Sequence, residues 1–331
     1  LNNRLTFSGD YYVRRTKDML TTGEPLPNVL GTSVPKENVA DLKTEGWEIT
    51  LGWKDRFKLG SKPFDYQFGF NLADSRAYIT KFRNTTGTLS SNYEGKEIGE
   101  IWGYTTLGFF TSQEDIDNHA DQSKLASYAS SRPIAPGDLK FADLDGDGEV
   151  YRGANTLDDH GDLRVIGNSR SRFTYGFTAG GNWNGFDLSL FLQGVGKKDY
   201  NPSGDLYFWG VYAQPWTNIT KGNYYDRWTE ENPDGYFPRL KGYVAESSSK
   251  EAGLAQTRYL QDASYIRLKN LTFGYTLPAQ LMSKVGINRV RVYFSGDNLL
   301  TISGLYKHYK VDPEGLGGQK ISVAAFLLFR S

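Results

Sequence analysis

Two runs of alternating apolar and polar residues meet at Asn184-Gly185, and that junction limits what the chain can become. Before it, Phe173, Tyr175, Phe177 and Ala179 alternate with Arg172, Thr174 and Thr178. After it, Phe186, Leu188, Leu190 and Leu192 alternate with Asp187, Ser189 and Gln193. A period of two places the apolar side chains on one face of a strand. Asn-Gly is the preferred pair for a two-residue type I′ turn, because both positions require φ > 0. Residues 172–196 are therefore expected to form a β-hairpin with one apolar face.

The same period recurs along the chain. Leu5, Phe7, Tyr11 and Val13 form one apolar row, Trp47, Ile49, Leu51 and Trp53 a second, and Phe64, Tyr66, Phe68, Phe70 and Leu72 a third. About eight strands follow from this pattern, near residues 5–16, 45–56, 64–81, 172–183, 186–196, 258–276, 289–302 and 319–329. The links after the second, fourth and sixth are short; the others are long. That alternation is expected of an antiparallel membrane barrel, whose apolar face meets lipid and whose polar face lines the lumen. Strands of this length suit a tilted crossing of the hydrocarbon layer, which takes about 9–11 residues. The alternative is a secreted, calcium-stabilised β-sandwich that binds glycans. There the apolar face points into a core between two sheets. The long segment 82–171 is mostly polar, with a short strand expected over 101–110 and a helical stretch over 112–131. A second long loop covers 197–257.

Composition supports strands and turns. Of 331 residues, 22 are Tyr, 19 Phe and 37 Gly, against 2 Met; aromatics favour strands and glycine favours turns. Basic and acidic residues balance at 38 each, so no global field attracts nucleic acid. There is no cysteine, which excludes disulfides and thiol chemistry. His119, His160 and His308 lack zinc-motif spacing. Carboxylate pairs such as Asp158/Asp159 stand in no catalytic context, and no serine occupies a nucleophile elbow. The chain is not expected to be an enzyme. No apolar run is long enough for a membrane helix, which leaves a barrel open.

One candidate site is the acidic loop GDLKFADLDGDGEV. Asp143, Asp145, Asp147 and Gly148 match positions 1, 3, 5 and 6 of an EF-hand-type loop. Alternate carboxylates converge on a hard cation there, and Gly148 permits the sharp turn. Glu149 would offer its backbone carbonyl. Position 12 is Ala154, so the usual bidentate glutamate is missing, and Asp158, Asp159 or Asp162 must replace it. A structural Ca²⁺ is the expected cofactor; the alternative is an acidic turn without a metal. The second candidate is the aromatic loop, with Tyr207, Trp209, Tyr212, Trp216 and Trp228. These rings are expected to contact a ligand or partner, or to pack on one another.

The segments DYYVRRTKDML, GDLKFADLDGDGEV, RFTYGFTAGGNWNGFDLSLFLQGVGKKD, RWTEENPDGYFPRL, YLQDASYIRLKNLTFGYTLP and VRVYFSGDNLLTISGLYKHYKVDPE carry a resemblance. In order and in kind they resemble the C-terminal part of SusC/RagA-type TonB-linked outer-membrane proteins of Bacteroidetes. The resemblance implies an all-β fold, an antiparallel transmembrane β-barrel segment of about eight strands from a family barrel of about 22. It implies that 82–171 and 197–257 are extracellular loops and that a plug domain and the earlier strands are absent here. It further implies outer-membrane import of oligosaccharides or peptides. The implied partners are a SusD-like surface lipoprotein, the TonB–ExbB–ExbD complex acting through the missing N-terminal region, and outer-membrane lipid. After Glu314 the chain departs from the family pattern, which ends on an aromatic residue. Here Phe329 is followed by Arg330 and Ser331, so a divergent end is expected.

Overall fold

The computed structural model describes residues 4–22, 31, 35–125, 133–203, 206–212, 219, 221–240, 251–309 and 311–316. Its strands are β1 (Leu5–Thr22), β2 (Lys36–Leu59), β3 (Lys62–Lys81), β4 (Glu100–Gly103), β5 (Thr106–Phe109), β6 (Leu139–Phe141), β7 (Arg164–Asn168), β8 (Arg172–Trp183), β9 (Phe186–Lys197), β10 (Asp199–Tyr200), β11 (Gln261–Asp262), β12 (Tyr265–Thr276) and β13 (Arg291–Ile302). Seven of them form one antiparallel sheet in the order β1-β2-β3-β8-β9-β12-β13. Every strand of that sheet pairs with its neighbours in chain order, so the sheet is a meander. The expected strand at 319–329 lies outside the described residues.

The register sorts side chains by face. Phe68 opposes Trp53 on β2 and Ala179 on β8; Ala179 opposes Leu190 on β9, which opposes Leu271 on β12. Directly opposed residues share a face, so the apolar rows become one apolar surface across the sheet. The expected strand 258–276 hides a phase problem. Ile266 and Leu268 are even-numbered, whereas Leu271, Phe273 and Tyr275 are odd. A bulge between Leu268 and Asn270 absorbs one residue, with Asn298 of β13 at φ 54° beside it. One extra residue returns all five side chains to the same face.

The opposite face is polar and cross-linked. Arg56 pairs with Asp65 across β2 and β3, and Thr272 with Ser295 at 3.1 Å across β12 and β13. Arg291 of β13 reaches over β12 to Asp187 of β9 at 2.5 Å. Gly274 lies under that bridge, and a Cβ there would stand 2.6 Å from the guanidinium. The bridge spans two strand spacings because the intervening residue has no side chain.

The short links lie at one end. Asn184 and Gly185 have φ 48° and 92°, the type I′ turn expected from their identities. Gly60 has φ 65° in the link Gly60-Ser61, placing glycine first as a type II′ turn requires. The link 277–290 is longer than a tight turn: Ala279–Met282 and Ser283–Val285 are short helical segments.

At the other end the long loops fold on one another. Leu89, Tyr93, Tyr104, Leu139, Phe141, Val150, Phe208, Trp209, Tyr212, Phe237 and Tyr259 belong to one buried cluster. Two-stranded ribbons β4–β7, β5–β6 and β10–β11 frame it. Three expectations are corrected in this region. The strand over 101–110 is broken at Tyr104-Thr105, because Tyr104 turns to pair with Gln256 while β4 and β5 take different partners. The helix over 112–131 is limited to α1 (Gln113–Asp117), capped by Ser112 and stopped at Asn118. Beyond it Asp121 bonds to the acidic loop, donating to Gly148 O at 2.9 Å and accepting from Val150 N at 2.8 Å, and 126–132 lie outside the described residues. The strand expected from 258 starts only at Tyr265, because Tyr259 is drawn wholly into the cluster.

The basic residues of β12 meet acids from the end of the chain. Arg267 is held by Glu314 at 2.6 Å and by Asp312, and Lys269 by Glu314 at 2.8 Å. Leu305 and Val311 pack on Ala263 beneath these pairs, so the segment after β13 folds back over the long-loop end.

Candidate cation loop and long-loop core

The acidic loop is shaped by its own carboxylates. Asp143 accepts from Gly146 N at 2.6 Å and Gly148 N at 3.0 Å. Asp145 accepts from Asp147 N at 3.3 Å, and Asp147 from Glu149 N at 2.8 Å. These are Asx turns, in which the side chain bonds to backbone two or more residues on. Gly146 and Gly148 sit at φ 78° and 84°, a region closed to most side chains.

Asp162 arrives from the far end of the loop and is fully buried. It accepts from Leu144 N at 2.5 Å and Tyr151 N at 2.9 Å. One oxygen each from Asp143, Asp145 and Asp162 lies within 4.8 Å of the others. Burial pushes the Asp162 carboxyl above its ordinary range. The two backbone donors pull it back, and the charges of Asp145 and Asp143 add to the rise. That is the electrostatic condition of a site a hard cation would relieve.

The other expected ligands fall elsewhere. Asp147 is absent from the convergent set and serves the turn at Glu149. The Glu149 carboxylate, as distinct from the backbone carbonyl expected to serve as a ligand, is taken by Lys124. Asp158 is exposed and absent from the convergent set, and Asp159 accepts from Ala154 N at 3.0 Å instead. Of the three sequence alternatives for the missing ligand, geometry selects Asp162. The sequence signal was present but not decisive: Asp162 is the one of the three followed by a hydrophobic residue that turns inward, Leu163.

The aromatic loop is a core. Trp209 and Tyr212 are buried, and Trp228 nearly so. Trp209 meets Tyr259 edge-on at 4.7 Å, and Tyr212 stacks on Phe237 at 6.1 Å. The polar tips are bonded inward: Trp209 Nε1 to Pro202 O at 3.0 Å, Tyr212 OH to Pro238 O at 2.6 Å, Tyr259 OH to Tyr236 O at 3.1 Å. Burial raises the Tyr212 phenol and lifts that of Tyr259 far above its ordinary value, so both remain donors. The expectation of ligand or partner contact by these rings is corrected for Trp209, Tyr212 and Trp228, which are buried in the cluster. Trp216 and the side chain of Tyr207 lie outside the described residues. Gly137 sits at φ 87° against the Trp228 ring, where a Cβ would come within 2.3 Å. Arg239 closes the unit by pairing at 2.7 Å with buried Asp138.

No family model matches the chain. Individual relatives do. TonB-dependent receptor P3 of Formosa agariphila is 30% identical over 316 residues, covering 91% of this chain and 28% of that protein. TonB-dependent receptor SusC of Bacteroides thetaiotaomicron is 22% identical over 334 residues, covering 96% of this chain and 28% of that protein. A chain in the structure of the RagAB peptide transporter superposes with a TM-score of 0.65 at 25% identity, covering 95% of this chain and 31% of that one. The chain thus spans between 28% and 31% of the lengths of these proteins. They are receptors and a transporter rather than enzymes. A seven-stranded antiparallel sheet, an exposed apolar face and these likenesses place the chain, as a part, among the SusC/RagA-type TonB-dependent receptors.

Proposed function

We propose that the chain is part of an outer-membrane importer that takes up oligosaccharides or peptides together with a SusD-like surface lipoprotein. The observation that carries this is the pairing of one exposed apolar face with one ion-paired polar face across a sheet related to TonB-dependent receptors. Phe7, Phe68, Leu188, Phe273, Val292 and Phe294 are all exposed on the apolar side. Water disfavours such a surface by about 25 cal/mol per Å², and hydrocarbon does not. Among the described residues no second sheet packs on it, which disfavours the sandwich. Import would draw energy from TonB–ExbB–ExbD through a region outside this chain. In this reading the long-loop core braces the entrance. Deleting the complete receptor gene should remove growth on one oligosaccharide or peptide source and leave growth on the free monomer intact. Unchanged growth on every such source refutes import.

Within that core, Asp143, Asp145 and Asp162 are proposed to hold a structural Ca²⁺. Three convergent carboxylates suit its oxygen preference and flexible geometry. The ion would supply charge neutralisation only; the Asx turns shape the loop. Calcium should slow proteolysis between 137 and 167, and Asp162→Asn should abolish the slowing.

A further inference from the structure

The apolar face is not smooth. Near the short turns it holds a notch of about 670 Å³. The register accounts for it. One cross-strand row reads Tyr66, Gly181, Leu188, and the next reads Phe68, Ala179, Leu190. In both rows β8 contributes almost no side chain between two bulky neighbours. The floor is therefore backbone and one methyl group, and the walls are Phe64, Tyr66 and Phe68 on one side and Phe186 and Leu188 on the other.

The walls are braced against collapse. Phe64 packs on Phe57 at 5.1 Å and Phe186 on Tyr275 at 4.4 Å. Trp183 closes the short-turn end, its Nε1 donating to Leu59 O at 3.3 Å. The interior offers no free polar group. The Tyr66 hydroxyl accepts from Trp53 Nε1 at 3.3 Å, and the Asp187 carboxylate belongs to the opposite face, on Arg291. Such a notch suits an unbranched hydrocarbon chain.

Charge at its mouth is one-sided. The short links 57–64, 183–186 and 276–290 contain Lys58, Lys62, Lys284 and Arg289, and not one Asp or Glu. All four cations are exposed. Lys58 and Lys62 flank the turn that carries the notch residues Phe57 and Phe64.

We propose that the notch seats one acyl chain of an anionic phospholipid, with the headgroup phosphate against Lys62, which parity places on the face of Phe64, and with Lys58 adding charge from the other side of the same turn. The proposal rests on the apolar face being lipid-facing. Its ingredients are apolar shape for the chain and unopposed positive charge for the head, the pairing that anionic lipid recognition uses.

The test uses the complete receptor in vesicles of phosphatidylcholine with or without phosphatidylglycerol, one or the other brominated on its acyl chains. Fluorescence is apportioned by Trp→Phe variants at Trp183, beside the notch, and at Trp47, on the same face six residues along β2 from Trp53 and away from the notch. Brominated phosphatidylglycerol should quench Trp183 more strongly than brominated phosphatidylcholine does, while Trp47 should not discriminate. Lys62→Gln should weaken the preference about five-fold and the double variant with Lys58→Gln further, on the usual contribution of one basic residue near an anionic surface. Gly181→Leu should remove the Trp183 excess. The position tolerates a side chain, since a Cβ there meets nothing closer than 3.4 Å. Equal quenching of Trp183 by both lipids, unmoved by these variants, overturns the site and leaves the lipid-facing sheet standing. No quenching of either tryptophan by either lipid overturns the lipid-facing sheet, and the site with it.

Discussion

The sheet and the long-loop core treat the same residue types in opposite ways. On the sheet, Phe7 is 66% exposed and Val292 65%. In the core, Trp209 and Tyr259 are each 1% exposed. The sheet turns its apolar side chains outward and pairs its charges on the other face; the core turns its aromatics inward and buries carboxylates that are bonded, Asp138 on Arg239 and Asp162 on two backbone amides. On the proposed function, the inversion corresponds to two solvents. The core is arranged against water, in which apolar burial drives folding. The proposed import role sets the sheet against hydrocarbon, in which the apolar face gains nothing by being covered and backbone pairing is what cannot be given up.

The largest effect expected from that contrast is at Trp209. Trp209→Ala removes a buried ring and its bond to Pro202, and should destabilise the loop unit by about 3–5 kcal/mol. Phe294→Ala, on the exposed sheet face, should cost under about 1 kcal/mol in detergent. Protease-susceptibility melts of the complete receptor measure both. Equal costs would mean that protein, not lipid, covers the sheet face. Next comes charge. Leu190→Lys on the apolar face should lower folding free energy by about 2–4 kcal/mol in bilayers, whereas Ser189→Lys on the polar face should lie near zero. If both residues tolerate lysine alike, the assignment of faces fails. Arg239→Ala should cost about 3 kcal/mol in the core by removing the guanidinium that pairs with buried Asp138, which keeps its bond from Ala135 N, and should leave the sheet's melting unchanged.

How much of this was legible beforehand divides along the same line. In the sheet each residue's role is set by parity, so Phe64 to Leu72, the Asn184-Gly185 turn and the order of short and long links could be read directly. Parity failed at the bulge by Lys269, and the register also shifts opposite Ile79 and Lys81, because a bulge is set by both neighbouring strands and leaves no local mark. In the core, roles are set by contacts distant in sequence. Tyr259 packs against Trp209 and Phe237, and no local period announces that. A run of aromatics in a polar loop reads equally as a ligand platform or as a core. Only the rings' mutual burial decides. The cation loop lies between these cases. Asp143 and Asp145 follow from spacing, while Asp162 is recruited across a loop whose closure the sequence does not encode locally.

The smallest expected effect is also the most discriminating for that loop. Burial holds the Asp162 carboxyl above its ordinary range in the metal-free state. The folded loop then binds a proton more readily than the unfolded chain does. Its stability is therefore greatest below the ordinary carboxylate range, falls as pH rises from there to the raised value, and is level above it. A bound cation reverses the sign. It keeps Asp162 ionised, so the loaded loop should loosen on acidification, when protons compete for the ligands. Cleavage between 137 and 167, followed from mildly acidic to neutral pH, should rise with pH in EGTA and fall with pH in calcium. Asp162→Asn should flatten both curves, because the amide cannot ionise. Parallel curves in EGTA and calcium would leave the three carboxylates as a set of turns and nothing more. The core would then be held by its aromatics alone, and its contrast with the sheet would reduce to a matter of which side of the chain the rings face.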